Sequence, residues 1–195
     1  MTPGGDVRRT LAVIGASWGG MHALERVLRQ LDGGCRLAVA IAQHRSPDRA
    51  GTVLVDFLQR SCALPVAEAG DKDEIAPGHV YVAPPDYHLL VEPGHFALSI
   101  DAPVQQSRPS IDVLFESAAD AYGEEVVAVV LTGANSDGAL GLARVKQRGG
   151  LTLAQDPATA ERREMPEAAI ATGAVDRVAT LEDLGCIVNG LRRLA

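Results

Sequence analysis

Several short runs in this chain are apolar throughout, with no alternation of apolar and polar residues. Residues 11–15 and 37–42 are runs of this kind, and so is 125–131 after its first residue, Glu125. A strand that is exposed on one face alternates, whereas a strand buried on both faces does not, and the latter belongs to parallel sheets covered by helices. The first run is followed by helical spacing at 21–31, and the second by a helical pattern at 49–60. The order strand, helix, strand, helix therefore predicts an α/β fold with a doubly wound sheet.

The rest of the chain extends this pattern. Runs at 79–82, 88–91 and 96–100 are separated by turn residues, which predicts antiparallel strands with a hairpin at 92–95. Ser110 is expected to cap a helix that ends near Tyr122. Helices at 137–148, 166–172 and 181–194 and strands at 151–155 and 174–178 complete the pattern. We predict one domain at 10–195, with a mostly parallel sheet flanked by helices and an antiparallel hairpin, after a flexible leader at 1–9.

Composition and charge disfavour several classes of function. The net charge is -7 and the sequence shows no basic stripe, which disfavours nucleic-acid binding. No run approaches the ~18 apolar residues of a membrane span, and no signal peptide is recognised, so we expect a cytoplasmic protein without membrane insertion. The basic pairs at 162–163 and 192–193 are expected on solvated helix surfaces. Cys35, Cys62 and Cys186 form no C-x-x-C motif and are expected to be reduced, buried and structural.

The loop Gly15-Ala-Ser-Trp-Gly-Gly20, which joins the first strand to the first helix, allows three interpretations. It approximates the dinucleotide fingerprint G-x-G-x-x-G, but Ser17 replaces the middle glycine, and Gln43-His44 stands where a ribose-binding carboxylate is expected. It also matches G-x-S-x-G, the turn that exposes a nucleophilic serine before a helix N-terminus. In the third interpretation, Ser17 only caps the helix.

The positions of His44 and Asp137 favour the interpretation of Ser17 as a nucleophile. His44 follows the second strand directly, and Asp137 lies in the glycine-containing loop after the run 125–131. The carboxyl ends of neighbouring parallel strands meet at one edge of a sheet, where such folds bind ligands. Asp137 could instead cap the helix that it precedes. Together the three residues predict a triad in which Ser17 is the nucleophile, His44 the general base and Asp137 the residue that orients His44.

These residues resemble a known family, the CheB chemotaxis receptor methylesterases. The resemblance rests on motifs that occur in order from about residue 11 to the C-terminus: Gly15-Ala-Ser-x-Gly-Gly20, Gln43-His44, Pro77-Gly-His-x-Tyr-x-Ala-Pro84, Arg108-Pro-Ser-x-Asp-Val-Leu-Phe115, Leu131-Thr-Gly with Asp137-Gly-Ala-x-Gly141, Ala154-Gln155 and Met165-Pro166. Two positions differ from the common family pattern. Trp18 stands where threonine is common, and Gly133-Ala-Asn135 replaces Gly-Met-Gly.

The resemblance implies a serine hydrolase that demethylates glutamate γ-methyl esters on the cytoplasmic helices of methyl-accepting chemoreceptors and in some members deamidates glutamines. It implies the triad Ser17, His44 and Asp137, an oxyanion hole at the backbone N–H groups of Trp18 and Ala134, and no metal or organic cofactor. Family members usually carry a receiver domain, which these 195 residues lack, so a separate regulatory protein is a further potential partner. The alternatives that remain are a catalytically weak receptor-binding scaffold of the same fold and, less favoured, a nucleotide-binding oxidoreductase.

Overall fold

The structure is a computed structural model that describes residues 10–45 and 52–191, and of Thr52 only the backbone. The predicted leader at 1–9, the start of the predicted helix 49–60 and the end of the predicted helix 181–194 lie outside the described residues. The strands are β1 (Leu11–Ala16), β2 (Ala38–Gln43), β3 (Val66–Glu68), β4 (Val80–Val82), β5 (His88–Glu92), β6 (His95–Ser99), β7 (Val126–Val130), β8 (Leu151–Gln155) and β9 (Arg177–Ala179). The helices are α1 (Gly20–Leu28), α2 (Thr52–Gln59), α3 (Ile111–Tyr122), α4 (Ala139–Gln147), α5 (Glu164–Ala171) and α6 (Leu181–Gly190).

Seven strands form one parallel sheet in the order β3-β4-β2-β1-β7-β8-β9, and β5 and β6 form a separate antiparallel hairpin. The predicted fold class, a mostly parallel sheet with an antiparallel hairpin, is confirmed. The prediction that the run 79–82 pairs antiparallel with its neighbours is wrong, because β4 pairs parallel with both β2 and β3. Its three residues are all buried, as in the other strands of the main sheet.

Helices cover both faces of the main sheet. Apolar residues of α1, α2 and α6 pack on one face, and those of α3, α4 and α5, together with the hairpin, pack on the other. The central strands β2, β1 and β7 are buried along their whole length. This burial on two faces is the reason that their sequences are apolar without alternation.

The strand order creates a crevice at the carboxyl edge of the sheet. The chain leaves β1 towards β2 on one side and later returns to place β7 on the other side of β1. In open α/β sheets, loops that diverge in this way leave a crevice at the strand ends, and ligands bind there. The loops that follow β1, β2 and β7 carry Ser17, His44 and Asp137.

The cysteines follow the prediction only in part. Cys35 and Cys62 are buried and form no disulfide. Cys186 is also free, but it lies exposed on α6, so the prediction that it is buried is wrong. Within the described residues, no helix is both long and apolar enough to span a membrane.

Candidate active site

Ser17 directly follows β1 and is held by the neighbouring loop. Its backbone N–H donates to the Thr132 carbonyl at 2.9 Å, which extends the pairing of β1 with β7 by one step. Helix α1 then begins after Gly19, whose φ of 76° lies in the left-handed region that favours glycine. Gly19 is the N-cap, and no side chain caps this helix. The interpretation of Ser17 as a helix cap is therefore wrong, and its hydroxyl is left for other contacts.

His44 lies between Ser17 and Asp137. Its Nδ1 is 3.2 Å from the Ser17 Oγ, and its Nε2 is 2.7 Å from the Oδ2 of Asp137. An ionised carboxylate only accepts hydrogen bonds, so the neutral imidazole carries its proton on Nε2 and presents the lone pair of Nδ1 to the serine. The structure thus brings the three predicted residues into one hydrogen-bonded chain.

Asp137 is fully buried and its carboxylate is saturated with donors. Besides His44, it accepts hydrogen bonds from the Ser110 hydroxyl at 2.9 Å and from the backbone N–H groups of Ile111 at 2.7 Å and Asp112 at 2.9 Å. Burial favours the neutral form, but the bonds from His44, Asp112 and Ile111 outweigh it and hold the pKa of Asp137 below its ordinary value. Asp137 therefore faces His44 as a carboxylate at neutral pH.

Asp137 does not cap the helix that follows it. The N-cap of α4 is Gly138, and the carboxylate that accepts from this helix start is that of Asp112. Its Oδ1 accepts from the N–H groups of Gly138 at 2.9 Å and Gly141 at 2.7 Å, and its Oδ2 accepts from the Gln105 amide at 2.8 Å. The sequence did not indicate this role of Asp112, because its contacts with Gly138 and Gly141 join segments distant in the chain.

The two carboxyl groups influence each other's ionisation. Burial, with the negative charges of Asp137 and Glu116, raises the pKa of Asp112 to about 6, against the opposing effect of the glycine N–H groups. Asp137 accepts from four donors, one of them the His44 imidazole, whereas Asp112 accepts from three, the N–H groups of Gly138 and Gly141 and the Gln105 amide. The proton at this pair therefore resides on Asp112 rather than on Asp137.

The residues of the two predicted oxyanion donors, Trp18 and Ala134, border the cavities at Ser17. Within residues 10–45 and 52–191, the backbone N–H groups of Trp18 and Ala134 donate no hydrogen bond. The glycine at position 133 lets the loop after β7 approach the loop of Ser17 closely. A Cβ on Gly133 would lie 2.2 Å from the Met165 Sδ and 2.8 Å from the Ser17 Cβ. Trp18 and Ala134 as oxyanion donors stay a prediction, and these free N–H groups are compatible with it.

Two cavities meet at Ser17 and His44. One, of about 540 Å³, is bordered by the apolar side chains of Trp18, Met21 and Val53. The other, of about 670 Å³, is bordered by the polar loop 105–107 and by residues 134–135. Among the described residues, no group of three or more His, Cys, Asp or Glu side chains is arranged to hold a metal ion.

Residues that sequence reasoning missed surround Trp18. The indole, 59% exposed, donates from Nε1 to the Glu161 carboxylate at 2.8 Å. The Arg162 guanidinium lies 5.5 Å from the ring centre, a cation–π distance. The expectation that the pair 162–163 lies on a solvated helix surface is wrong for Arg162, because α5 begins only at Glu164 and Arg162 contacts Trp18. Only the departure of Trp18 from the common family residue pointed to this region.

An α/β sheet whose carboxyl edge joins a serine, a histidine and a buried carboxylate has the arrangement of a serine hydrolase. A family model described as CheB methylesterase matches residues 12–187. A Leptospira interrogans protein named putative protein-glutamate methylesterase/protein-glutamine glutaminase is 46% identical over 173 residues, which cover 88% of this chain and 89% of that protein. The Paraburkholderia xenovorans protein-glutamate methylesterase/protein-glutamine glutaminase is 42% identical over 181 residues, or 89% of this chain and 49% of that protein.

The crystal structure of the Thermotoga maritima CheB methylesterase catalytic domain superposes with a TM-score of 0.89 at 32% identity, covering 95% of this chain and all of that one. The chain belongs to the CheB methylesterase family. The family predicted from the motifs and its enzyme class, a methylesterase, are thereby confirmed, and the nucleotide-binding alternative finds no support in these comparisons.

Proposed function

We propose that this chain hydrolyses glutamate γ-methyl esters on the cytoplasmic helices of chemoreceptors, with Ser17, His44 and Asp137 as its catalytic triad. The observation that carries the proposal is the continuous hydrogen-bonded chain from the Ser17 hydroxyl through His44 to a buried carboxylate. Its setting, an open edge of the sheet with cavities on either side of the serine, allows a substrate to reach the hydroxyl.

Acylation begins when the Ser17 Oγ attacks the ester carbonyl carbon. His44 takes the serine proton on Nδ1, and Asp137 stabilises the imidazolium through the 2.7 Å bond at Nε2. The carbonyl oxygen becomes an oxyanion, which we propose accepts hydrogen bonds from the N–H groups of Trp18 and Ala134. The tetrahedral intermediate then expels methoxide, which takes the proton from Nδ1 of His44 and leaves as methanol.

Deacylation repeats the sequence with water as the nucleophile. The water gives one proton to Nδ1 of His44 while its oxygen bonds to the acyl carbon. Collapse of the second intermediate breaks the bond to the Ser17 Oγ, which recovers its proton from His44. The products are the free enzyme and a glutamic acid side chain, which gives its proton to solvent and becomes a carboxylate.

The apolar cavity beside Ser17 suits a helical protein substrate. Trp18, Met21 and Val53 present apolar surface next to the nucleophile, and Trp18 and Val53 are exposed by 59% and 60%. Exposed aromatic side chains held by neighbours lose little entropy on binding and often anchor a partner. A helix that delivers an ester to Ser17 would cover this surface with residues one turn away. This substrate places the protein in the cytoplasm, and the predicted separate regulatory protein stays a prediction.

We also propose glutamine deamidation at the same site, since the names of both relatives include a glutaminase activity. A carboxamide presents the same carbonyl carbon to Ser17, and its nitrogen accepts the proton from His44 and leaves as ammonia. The acyl-enzyme is then the same as the one formed from a methyl ester, so both reactions share the deacylation step.

The test is release of methanol from a methylated chemoreceptor cytoplasmic fragment by the purified chain. We expect turnover by the wild type and none by Ser17→Ala, together with fluorophosphonate labelling of Ser17 in the wild type alone. Labelling of Ser17 without methanol release would indicate a serine esterase that acts on a different substrate. If Ser17 is not labelled and no methanol is released, the result favours the receptor-binding scaffold. Ammonia release from the unmethylated fragment tests the glutaminase activity.

A further inference from the structure

A tight turn next to the active site has an unfavourable backbone conformation. Val104 and Ser107 exchange backbone hydrogen bonds of 3.1 and 2.9 Å across it. The two central residues, Gln105 and Gln106, have φ values of 47° and 64°. Positive φ at both central positions defines a turn that strongly favours asparagine and glycine, and neither is present. Disfavoured backbone held in place by its surroundings is common at functional sites.

The surroundings fix this turn through Gln105. Its amide nitrogen donates to the buried Asp112 carboxylate at 2.8 Å, and its amide oxygen accepts from the Ser136 hydroxyl at 2.9 Å. Asp112 in turn accepts from the start of α4, next to Asp137. The turn is therefore tied to the same buried carboxyl pair that holds the triad.

The turn brings a second hydroxyl to His44. The Ser107 Oγ lies 3.4 Å from Nδ1, the same nitrogen that the Ser17 Oγ approaches at 3.2 Å. Nδ1 has one lone pair, so only one hydroxyl donates to it at a time, and the shorter contact belongs to Ser17. Both serines line the cavity of about 670 Å³. The Ser107 hydroxyl thus lies where a molecule bound at Nδ1 would also contact it.

This arrangement matters once Ser17 is acylated. The Ser17 Oγ is then an ester oxygen without a proton, and the donor to Nδ1 must be the hydrolytic water. We propose, on the basis of the serine esterase function above, that Ser107 is a positioning residue for deacylation. The Ser107 hydroxyl forms a hydrogen bond to the water that donates to Nδ1 of His44, and this bond orients the water towards the acyl carbon.

The step balances without any further reactant. The water oxygen forms the new bond to the acyl carbon, one water proton passes to Nδ1, and Ser17 leaves with that proton when the carbon–Oγ bond breaks. Ser107 gains and loses no proton overall, because it contributes only a hydrogen bond. Loss of one neutral hydrogen bond predicts a deacylation rate about tenfold lower in Ser107→Ala.

The hydroxyl can be removed without dismantling the turn. The bonds between Val104 and Ser107 are made by backbone atoms, which Ser107→Ala keeps. Ser107→Thr retains the hydroxyl and serves as the rescue variant. Ser61→Ala is the control, because among the described residues its hydroxyl bonds only to the Glu25 carboxylate, and Ser61 borders neither of the two cavities at Ser17.

The experiment follows hydrolysis of p-nitrophenyl acetate by the full chain and its three variants. First-turnover release of p-nitrophenol reports acylation, and mass spectrometry of the protein at steady state reports the fraction of Ser17 that carries acetyl. We expect Ser107→Ala to keep the wild-type first-turnover rate, to lose about tenfold in steady-state rate and to accumulate acetyl-enzyme, as estimated for one hydrogen bond. Ser107→Thr should restore turnover, and Ser61→Ala should match the wild type.

Two results would overturn the inference. The first is an absence of accumulated acetyl-enzyme in Ser107→Ala, and the second is an equal fall of first-turnover and steady-state rates, which would indicate a purely structural role. Failure of the proposed function looks different, because the wild type would then neither release p-nitrophenol nor react with a fluorophosphonate at Ser17.

Discussion

The carboxyl groups of Asp112 and Asp137 are crossed between two helix starts: the one on α3 accepts from α4, and the one just before α4 accepts from α3. Asp137 precedes α4 and accepts from the backbone of Ile111 and Asp112 at the start of α3. Asp112 lies in the first turn of α3 and accepts from Gly138 and Gly141 at the start of α4. Each carboxyl group thereby meets the positive end of a helix dipole. This exchange locks the two helix starts together and fixes the carboxylate that faces His44.

The first prediction concerns the triad. Ser17→Ala should lower kcat for ester hydrolysis by up to about 10⁶-fold, the scale measured in subtilisin, because the nucleophile is lost. Asp137→Asn should cost about 10⁴-fold, the scale known for chymotrypsin-type proteases, since an amide at this position no longer holds Nε2 protonated. Steady-state kinetics on a small chromogenic ester checks both values.

The same two variants should differ in stability. Ser17→Ala removes no buried contact of the carboxyl pair, whereas Asp137→Asn weakens bonds from Ser110, Ile111 and Asp112 to a buried charge. We expect a loss of about 1–3 kcal/mol in the free energy of unfolding for Asp137→Asn, measured by urea denaturation. Near-normal turnover in Ser17→Ala would refute the proposed mechanism.

The second prediction concerns pH. The pKa of Asp112 in the folded protein is raised from 3.8 to about 6, so between these values the folded state holds a proton that the unfolded state has lost. The free energy of unfolding should therefore fall as pH rises from about 4 to about 6, and this contribution should be flat above that. Allowing for solvent screening, we expect a change of roughly 1–2 kcal/mol.

Asp112→Asn isolates this effect, because an asparagine oxygen still accepts from the helix start but does not titrate. Urea denaturation at pH 4, 5, 6 and 7 should show the wild type losing stability relative to the variant across the window. Acidic groups whose pKa is lowered, such as Asp137 and Asp176, contribute stability that is lost only as pH falls below their ordinary range. Asp176 is common to both proteins and cancels in the comparison, and the lowered pKa of Asp137 places its titration below the pH 4–7 window. A pH-independent difference would refute the assignment of the proton to Asp112.

The sequence predicted the elements whose signal is local. The strands β1, β2 and β7 are apolar throughout because they are buried on both faces, and that feature alone located their carboxyl ends. Ser17, His44 and Asp137 could be inferred because each follows one of these strands. The three-residue strand β3, Val66–Glu68, was not predicted, since two of its residues are exposed and it is too short to show a pattern.

The contacts between distant segments could not be predicted. Asp112 and Ser107 have no local feature that marks them, and the contacts that join Asp112 to Asp137 and Ser107 to His44 span 25 and 63 residues. The parallel pairing of Val80–Val82 with β2 and β3 depends on the order of the strands in the sheet, which local spacing does not encode. The hydrogen bond between Trp18 and Glu161 spans 143 residues.

The third prediction concerns the loop that approaches Ser17. A Cβ at Gly133 would meet the Met165 Sδ at 2.2 Å and the Ser17 Cβ at 2.8 Å, so Gly133→Ala must displace one of them. We expect a loss of about 1–3 kcal/mol in stability, as in other overpacked sites, and a clear fall in kcat. Gly33→Ala is the matched control, because nothing lies within 4 Å of its Cβ position. Full activity of folded Gly133→Ala would show that the close contact with Ser17 has no catalytic role.

The last prediction concerns Trp18 and the helical substrate. The indole is exposed by 59% yet held by the Glu161 carboxylate at 2.8 Å and the Arg162 guanidinium at 5.5 Å, so it offers a rigid apolar surface beside Ser17. An aromatic anchor of this kind contributes about 2 kcal/mol or more to binding, which is more than tenfold in affinity. Trp18→Ala keeps the backbone N–H that is predicted to bind the oxyanion.

We therefore expect Trp18→Ala to raise KM for a methylated receptor fragment by about tenfold or more. The loss of kcat/KM on p-nitrophenyl acetate, which covers much less of the indole than a helix would, should be much smaller. Glu161→Gln is the matched control, because its amide oxygen still accepts from the indole, and it should bind the fragment nearly as the wild type does. Equal losses on the fragment and on the small ester would mean that Trp18 acts on the loop of Ser17 rather than on the substrate helix.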